Sequence, residues 1–193
     1  MTVLEAIAAR RSVRAYTPAR PDAATIRSLL RAAVQAPTAV HEEPWLFAVV
    51  QDPATLKRYS DRTKISFIEE ARKYRELRAG EPAATRFFEQ LSRPEFSIFY
   101  DAPTLVVICA KPLGPYVAAD CWLAGENLML AATSLGLGTC CIGSAVPVLN
   151  EPDVKAELGI PEDALAVAPI VVGVPRGETP KVPRKEPEIV CWK

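Results

Sequence analysis

The stretch from Tyr116 to Leu135 constrains the fold most strongly, because it is predicted to be a helix and is apolar nearly all round. Its alanines and its glycine leave no continuous polar face. A helix of this kind must be covered on all sides, and a chain of 193 residues has few other elements to cover it. We therefore expect part of this helix to pack against a second copy of the chain.

The same region does not predict a membrane span. The longest apolar stretch, Val117 to Leu137, contains Asp120, Glu126 and Asn127, and such groups are costly at the centre of a bilayer. The start of the chain also lacks the basic and apolar segments of a signal peptide. We therefore expect a cytoplasmic protein that has no membrane partner.

Charge and cysteine content exclude further classes of protein. The 23 Lys and Arg residues balance 23 Asp and Glu residues, whereas a general nucleic-acid binder needs a positive surface. At 49% hydrophobic residues the chain can bury a core. The five cysteines form no C-x-x-C pair and the chain has one histidine, so we expect no metal site and reduced, mostly buried thiols.

Helices and strands are predicted to alternate loosely, which indicates an α+β or α/β domain. Apolar spacing and turn residues predict helices that end near Ala9, lie between Pro21 and Pro37, and run from a cap at Asn150 to Gly159. Short apolar runs predict strands at 45–50, 104–109, 139–142 and 167–172. Residues 53–95 are expected to be mostly helical, broken at Gly80, and to form a lid or an insertion.

The tail is rich in proline and is expected to be extended rather than helical. It nevertheless ends in the apolar group Ile189, Val190, Cys191 and Trp192, which a free tail would not carry. We infer that the tail is pinned, for example as a strand added to another subunit.

The sequence Arg-Arg-Ser-Val-Arg near the start is the sharpest local feature. In an extended chain, Arg10, Ser12 and Arg14 face one way, while Val13 and Ala15 face the other. Two guanidiniums beside a hydroxyl suit a phosphate dianion. A solvated basic patch after a helix explains the same residues equally well.

The turn from Ala36 to Trp45 holds His41 and joins a helix to a strand. Loops at strand ends are common ligand sites, and His41 could donate to a ligand or titrate near neutral pH. A surface pair between His41 and Glu42 or Glu43 is the simpler interpretation.

Glycines in residues 135–143 superficially suggest a dinucleotide-binding turn. The pattern fails because Cys141 occupies the third glycine position, and because the glycines follow a helix and precede a strand. Gly143 can still let backbone N–H groups approach a ligand closely.

No side chain is assigned a catalytic role. Asp120 and Glu126 lie six positions apart and so on different faces of their helix, where structural pairing at an interface is expected. The sequence has no triad signature, P-loop or H-E-x-x-H motif. Cys140 and Cys141 are adjacent, and adjacent cysteines rarely bridge without strain.

Taken together, these segments resemble the nitroreductase family of FMN-dependent oxidoreductases over nearly the whole chain. Six segments occur in the family's order: residues 10–16, 36–38 with 44–45, 102–103, 127–132 leading to 136–139, 158–161 and 173–175. The resemblance implies an α+β fold, with a central mixed β-sheet flanked by helices and one domain over residues 1–193. It also implies an intertwined homodimer with two FMN molecules at its interface, in which the extended C-terminal arm, residues 175–193, wraps the partner.

The resemblance also assigns FMN-binding residues. The phosphate and ribityl chain fall on Arg10, Arg11, Ser12 and Arg14, with Arg184, or failing that Lys181, completing the phosphate site from the tail. The flavin is lined by Pro37, Thr38 and Ala39, and the turn at Ile142 and Gly143 faces the isoalloxazine ring. His41, also assigned to the cofactor, and Glu43 stand where many members have Asn and Gln.

The activity implied is ping-pong transfer of hydride from NADH or NADPH through FMN to a nitroaromatic, quinone or similar small acceptor. The flavin carries the chemistry, which agrees with the lack of a catalytic side chain. Two alternatives stay open: a non-catalytic flavin-binding or regulatory protein on this fold, motivated by His41 and Glu43, and a phosphate-ligand module that uses the basic sequence alone.

Overall fold

The computed structural model describes residues 1–75, 89–91 and 93–193, with the backbone alone for residues 69–75. One sheet has the order β1-β2-β4-β3, with β1 at Trp45–Val50, β2 at Thr104–Ala110, β3 at Gly138–Cys141 and β4 at Leu165–Gly173. Its three neighbouring strand pairs are antiparallel. The resemblance implied a mixed sheet, but the four strands are antiparallel. In the described chain, the only parallel pairing is the isolated bridge between Ser12 and Thr139.

The helices surround this sheet and mostly match the predicted segments. They are α1 (Val3–Ala9), α2 (Ala23–Ala33), α3 (Pro53–Arg75), α4 (Val117–Ser134), α5 (Val146–Leu149) and α6 (Pro152–Leu158), with 3-10 turns at Ala39–His41 and Gly143–Ala145. Thr2 and Glu5 form a reciprocal capping box at the start of α1. No helix within the described ranges combines the length and hydropathy needed to cross a membrane.

The prediction that Asn150 caps a helix is wrong. Glu151 is the N-cap of α6, and Pro152 occupies its first turn, where a missing N–H costs nothing. The Asn150 amide is instead used for tertiary contacts, because it donates to the Ala166 carbonyl and accepts from the Ala166 N–H, each at 2.9 Å. The predicted helix end at Gly159 is confirmed, with this residue at φ 66°.

Helix α3 accounts for the first part of the region predicted to be a helical lid or insertion. The predicted break at Gly80 lies outside the described residues. The N-terminal half of α3 is fixed to α6, because Arg58 pairs with Glu157 and Arg62 pairs with both Glu151 and Asp153. Exposed ion pairs contribute only about 0–1 kcal/mol each, so they orient α3 more than they stabilise it.

Both faces of the sheet are covered by apolar side chains. On one face, α2 and α4 pack against β2 and β4 through Ile26, Leu29, Leu128, Val106, Ile108 and Ile170. The other face carries α3, α5, α6 and the chain before β2, through Tyr59, Leu149, Val154, Phe99, Val107 and Val171. At Gly125, a Cβ would lie only 3.1 Å from Ile170 Cδ1, so glycine lets α4 lie close to the sheet.

Helix α4 is covered on one side only within this chain. Leu128 and Ala132 are fully buried, whereas Trp122 and Leu123 keep 41% and 46% of their surface exposed. The expectation that a second copy covers the remainder stays a prediction.

Candidate functional site

The basic segment, residues 10–17, runs between β3 and the chain that leaves β4. Ser12 forms a bridge with Thr139, and Tyr16 forms a bridge with Pro175. The Tyr16 ring is 1% exposed, so it anchors the segment in the core. The segment is therefore built into the edge of the sheet.

Two glycines allow this close packing. A Cβ on Gly138 would lie 2.7 Å from Val13 Cγ2, and one on Gly173 would lie 2.9 Å from Tyr16 Cδ1. Arg176, which the sequence did not single out, adds two hydrogen bonds from its Nε and Nη2 to the Tyr16 carbonyl, at 2.9 and 2.8 Å. Any larger residue at either glycine would push the basic segment outward.

Three of the predicted phosphate ligands lie near β3. The Ser12 bridge to Thr139 and the Val13 N–H bond to the Thr139 carbonyl, at 2.9 Å, place this part of the basic segment along the strand. Burial raises the pKa of the Cys140 thiol in β3, and the guanidinium of Arg14, the hydroxyl of Ser12 and the guanidinium of Arg10 partly offset that rise. Arg10, Ser12 and Arg14 therefore all lie near Cys140.

The predicted alternation of faces is only partly confirmed. Val13 is buried at 6% exposure, but Ala15 is exposed and Tyr16 takes the next buried position. The segment leaves regular extended geometry after Arg14, because the large Tyr16 ring, rather than the Ala15 methyl, fills the core.

The two adjacent arginines have different surroundings. Arg11 Nη1 donates to the carbonyls of Ala8 and Arg10, at 2.8 and 2.7 Å, and so satisfies the C-terminal end of α1. Its Nε is buried with no hydrogen-bond partner in the described chain. Arg10 Nε lies 3.5 Å from Glu126 Oε1, so Glu126 pairs within its own chain, whereas the sequence suggested interface pairing.

An aromatic residue that the sequence analysis missed lies beside Arg14. The Arg14 Cζ atom is 5.8 Å from the centre of the Tyr100 ring, within the range of a cation–π contact. Tyr100 and Asp101 both have φ 55°, a left-handed conformation that is uncommon for residues other than glycine. The one available sequence signal was an aromatic residue just before the Ala102-Pro103 segment.

The turn after β3 leaves open space. The Ile142 N–H donates to the Pro169 carbonyl at 2.9 Å, and the Ile142 side chain is buried. A Cβ on Gly143 would meet no atom within 4 Å. Gly143 therefore faces free volume, as the sequence analysis expected of a residue that a ligand approaches.

The loop before β1 is strained. Val40, His41 and Glu43 have φ values of 45°, 57° and 46°, and such residues cluster at functional sites. No salt bridge joins His41 to Glu42 or Glu43, three residues that lie within the described ranges. The surface pair considered as the simpler interpretation is therefore absent from this structure.

The structure does not unite all of the predicted site residues within one chain. Pro37, Thr38, Ala39 and His41 precede β1, whereas the basic segment lies against β3, and these strands form opposite edges of the sheet. No hydrogen bond or ion pair between described residues joins the two regions.

The tail is also separate from the basic segment. Arg184 and Lys181 are exposed, and residues 177–193 make no hydrogen bond with any described residue. Ile189, Val190 and Trp192 are 60%, 101% and 87% exposed. Within one copy of the chain, the tail is therefore not part of the cluster at the basic segment.

The cysteines form no disulfide in this structure. All five are free, so Cys140 and Cys141 are not bridged to each other. Burial raises the pKa of Cys141 to about 11, which keeps the thiol protonated at neutral pH. The described residues also contain no cluster of three side chains able to hold a metal ion.

A cavity of about 530 Å³ lies beside Pro18, Arg20, Leu56 and Phe96. None of the predicted site residues lines it. One of its polar groups, the Ser60 hydroxyl, already accepts the Ile98 N–H at 3.0 Å. Because available donor groups identify a ligand site better than volume does, we place the candidate site at the basic segment.

Comparison with known proteins relates the chain to one protein family. The model of the nitroreductase family matches residues 7–174. A solved nitroreductase with bound FMN from Bacteroides fragilis superposes with a TM-score of 0.81 at 29% identity, covering 100% of both chains.

Two curated relatives extend the comparison. One, from Archaeoglobus fulgidus, carries the provisional name NADH dehydrogenase/NAD(P)H nitroreductase; it is 30% identical over 180 residues, which cover 91% of this chain and 86% of that protein. The FMN reductase (NADPH) of Bacillus subtilis is 26% identical over 195 residues, which cover 94% of this chain and 70% of that protein. The chain thus belongs to the nitroreductase family.

Proposed function

We propose that this protein is an FMN-dependent NAD(P)H oxidoreductase that reduces a nitroaromatic, quinone or similar small acceptor. The observation that carries the proposal is the packing of the segment with Arg10, Ser12 and Arg14 along β3, through its bridge and backbone bond to Thr139, in a chain whose family includes a solved structure with bound FMN. NADH or NADPH and the acceptor would use the same pocket in turn, which is a ping-pong sequence.

The residues present fit FMN by the chemistry of their donors. Two guanidiniums and a hydroxyl match a phosphate dianion, and the Arg11 Nε is a buried donor without a partner in the described chain. The space next to Gly143 is free of protein atoms within 4 Å of an added Cβ. We therefore assign Arg10, Ser12 and Arg14 to the phosphate and ribityl chain, and Ile142 and Gly143 to the ring.

Two copies of the chain would complete each site. The loop before β1, with Pro37, Thr38, Ala39 and His41, and the tail, with Arg184, stand apart from the basic segment in one chain. A homodimer would bring these regions to the partner's basic segment and would cover the exposed side of α4. The proposal thus includes the arm at residues 175–193 as a dimer contact.

The side chains bind and orient rather than react. FMN, when bound, supplies the hydride chemistry. Arg10 and Arg14 place positive charge at the anionic end of the cofactor, and the left-handed loop at His41 presents its backbone in a fixed form. The buried thiols stay protonated, since burial raises the pKa of Cys141 to about 11, so they do not compete as nucleophiles.

The visible spectrum of the purified protein tests the proposal. We expect a yellow protein that NADH or NADPH bleaches under anaerobic conditions, and whose colour returns when a quinone or nitroaromatic is added. A colourless protein that cannot be loaded with FMN contradicts the proposal. A yellow protein that neither nucleotide bleaches supports a flavin-binding regulatory role instead.

A matched pair of arginine variants localises the site. Arg14→Ala should weaken FMN binding roughly tenfold or more, because it removes one guanidinium from the phosphate. Arg20→Ala removes an equally exposed guanidinium that lines the separate cavity, and it should leave the FMN dissociation constant unchanged. Equal losses in both variants would contradict the placement at the basic segment.

A further inference from the structure

We propose that Tyr100 is a positioning residue that holds Arg14 in its phosphate-binding orientation. This inference rests on the proposed function, because it concerns the same FMN site. It adds to that site a residue from the chain just before β2, which lies outside the segments that carry the family resemblance.

Arg14 has few other restraints in the described chain. It is exposed, it forms no salt bridge with a described carboxylate, and its one hydrogen bond to the backbone, from Nη1 to the Ser12 carbonyl, is 3.5 Å long. A bond of that length is weak. The Tyr100 ring, 5.8 Å from Arg14 Cζ, is therefore the main contact that limits where this flexible side chain points.

The Tyr100 ring is itself held in place. Its edge-to-face contact with Phe96 has a centroid distance of 5.7 Å and an interplanar angle of 80°, a favoured aromatic geometry. Its backbone and that of Asp101 are both left-handed at φ 55°, so the surrounding fold imposes this direction on the ring. Tyr100 thus offers a fixed surface to a mobile guanidinium.

The electrostatics at Tyr100 are consistent with this contact. Burial raises the pKa of the Tyr100 hydroxyl, the nearby charge of Arg14 and a hydrogen bond from its guanidinium partly offset the rise, and Cys140 adds to it. The charge of Arg14 also lowers the pKa of the Cys140 thiol, against the rise that burial causes. Tyr100, Arg14 and Cys140 of β3 therefore form one cluster, in which the Tyr100 ring packs against the Arg14 guanidinium.

Loss of the ring should affect the phosphate and spare the rest of the flavin. Partly exposed cation–π contacts of this kind correspond to roughly a three- to tenfold change in affinity. FMN carries the phosphate that Arg14 binds, whereas riboflavin lacks it. A side chain that merely stabilises the fold would change the affinity for both flavins equally.

The experiment measures the dissociation constants of FMN and riboflavin by flavin fluorescence with the full-length chain. We expect Tyr100→Leu to weaken FMN roughly three- to tenfold and to leave riboflavin unchanged. Tyr100→Phe, which keeps the ring but removes the hydroxyl near Arg14, should weaken FMN binding less than Tyr100→Leu does. Combining Tyr100→Leu with Arg14→Ala should cost no more than Arg14→Ala alone, because Tyr100 acts through Arg14.

Three results would overturn the inference: equal weakening of both flavins, a Tyr100→Phe loss as large as that of Tyr100→Leu, or additive losses in the double variant. Thermal unfolding of each variant without flavin reports whether it is folded, and Tyr100→Met replaces Tyr100→Leu if the latter is not. A wild-type chain that binds neither flavin contradicts the proposed function itself. A wild type that binds FMN, together with an unaffected Tyr100→Leu variant, contradicts the role of Tyr100 alone.

Discussion

The basic segment and the C-terminal tail both contain basic residues and no helix, but their surroundings differ. Ser12 and Tyr16 of the basic segment form bridges with Thr139 and Pro175 on either side. Residues 177–193 of the tail make no hydrogen bond with the described chain. The basic segment of the candidate site is thus organised within one copy of the chain, whereas the apolar end of the tail is exposed.

This difference indicates which contacts stabilise the basic segment and which would stabilise the tail. The basic segment is held by intramolecular bonds and by the buried Tyr16 ring, so its stability should not depend on protein concentration. We expect a partner surface to order the tail, in which case the order of the tail depends on protein concentration. The following three predictions test this contrast, beginning with the largest effect.

Removal of residues 177–193 should abolish stable dimers while leaving the fold of the remaining chain. Burying Ile189, Val190 and Trp192 on a partner would contribute about 1.5 kcal/mol or more each, so their loss should raise the dimer dissociation constant at least about a hundredfold. Analytical ultracentrifugation measures that constant, and far-UV circular dichroism checks the fold. An unchanged dimer would show that the tail is free in solution, and the contrast would fail.

Gly138→Ala should destabilise the chain by about 1–3 kcal/mol, because overpacking is costly and the new Cβ would lie 2.7 Å from Val13 Cγ2. Gly143→Ala is the matched control, since its Cβ meets no atom within 4 Å. Urea unfolding without flavin should separate the two variants, and Gly143→Ala should instead weaken FMN binding. If the two lose equal stability, the basic segment is not packed as described.

Arg176→Ala should cost about 1–2 kcal/mol, because it removes two hydrogen bonds to the Tyr16 carbonyl. Arg184→Ala removes a guanidinium of the tail that has no partner in the described chain, so the unfolding free energy of the flavin-free monomer should not change. Thermal unfolding at low protein concentration measures both. A loss for Arg184→Ala as large as that for Arg176→Ala would place the tail on its own chain.

Local patterns were enough to predict much of the fold. Apolar runs bounded by turn residues marked all four strands, and the apolar stretch at residues 116–135 marked α4, observed at Val117–Ser134. The prediction failed at Asn150, because a side chain that can cap a helix can equally bond a distant strand, as it does at Ala166. The short helix α5 was missed because four residues carry too little periodicity.

The site was less predictable because it depends on contacts between distant segments. The alternation of residues in the basic segment indicated that Arg10, Ser12 and Arg14 share a face, and the structure places them around Cys140. Sequence alone could not indicate that Tyr100 lies beside Arg14, since 86 positions separate them. The sequence likewise could not show that Arg11 donates to a carbonyl at the end of α1, because nothing in the sequence distinguishes it from the adjacent Arg10.

The glycine at position 125 has a consequence for the evolution of the site. It sets the depth of α4 on the sheet, since a Cβ there would approach Ile170 Cδ1 to 3.1 Å, and the next residue, Glu126, pairs with Arg10. A core substitution that lifts the helix would therefore also carry the carboxylate away from its arginine. Drift in the interior of this protein is coupled to the charge arrangement at its surface, so a binding preference could change without any substitution among the residues that touch the ligand.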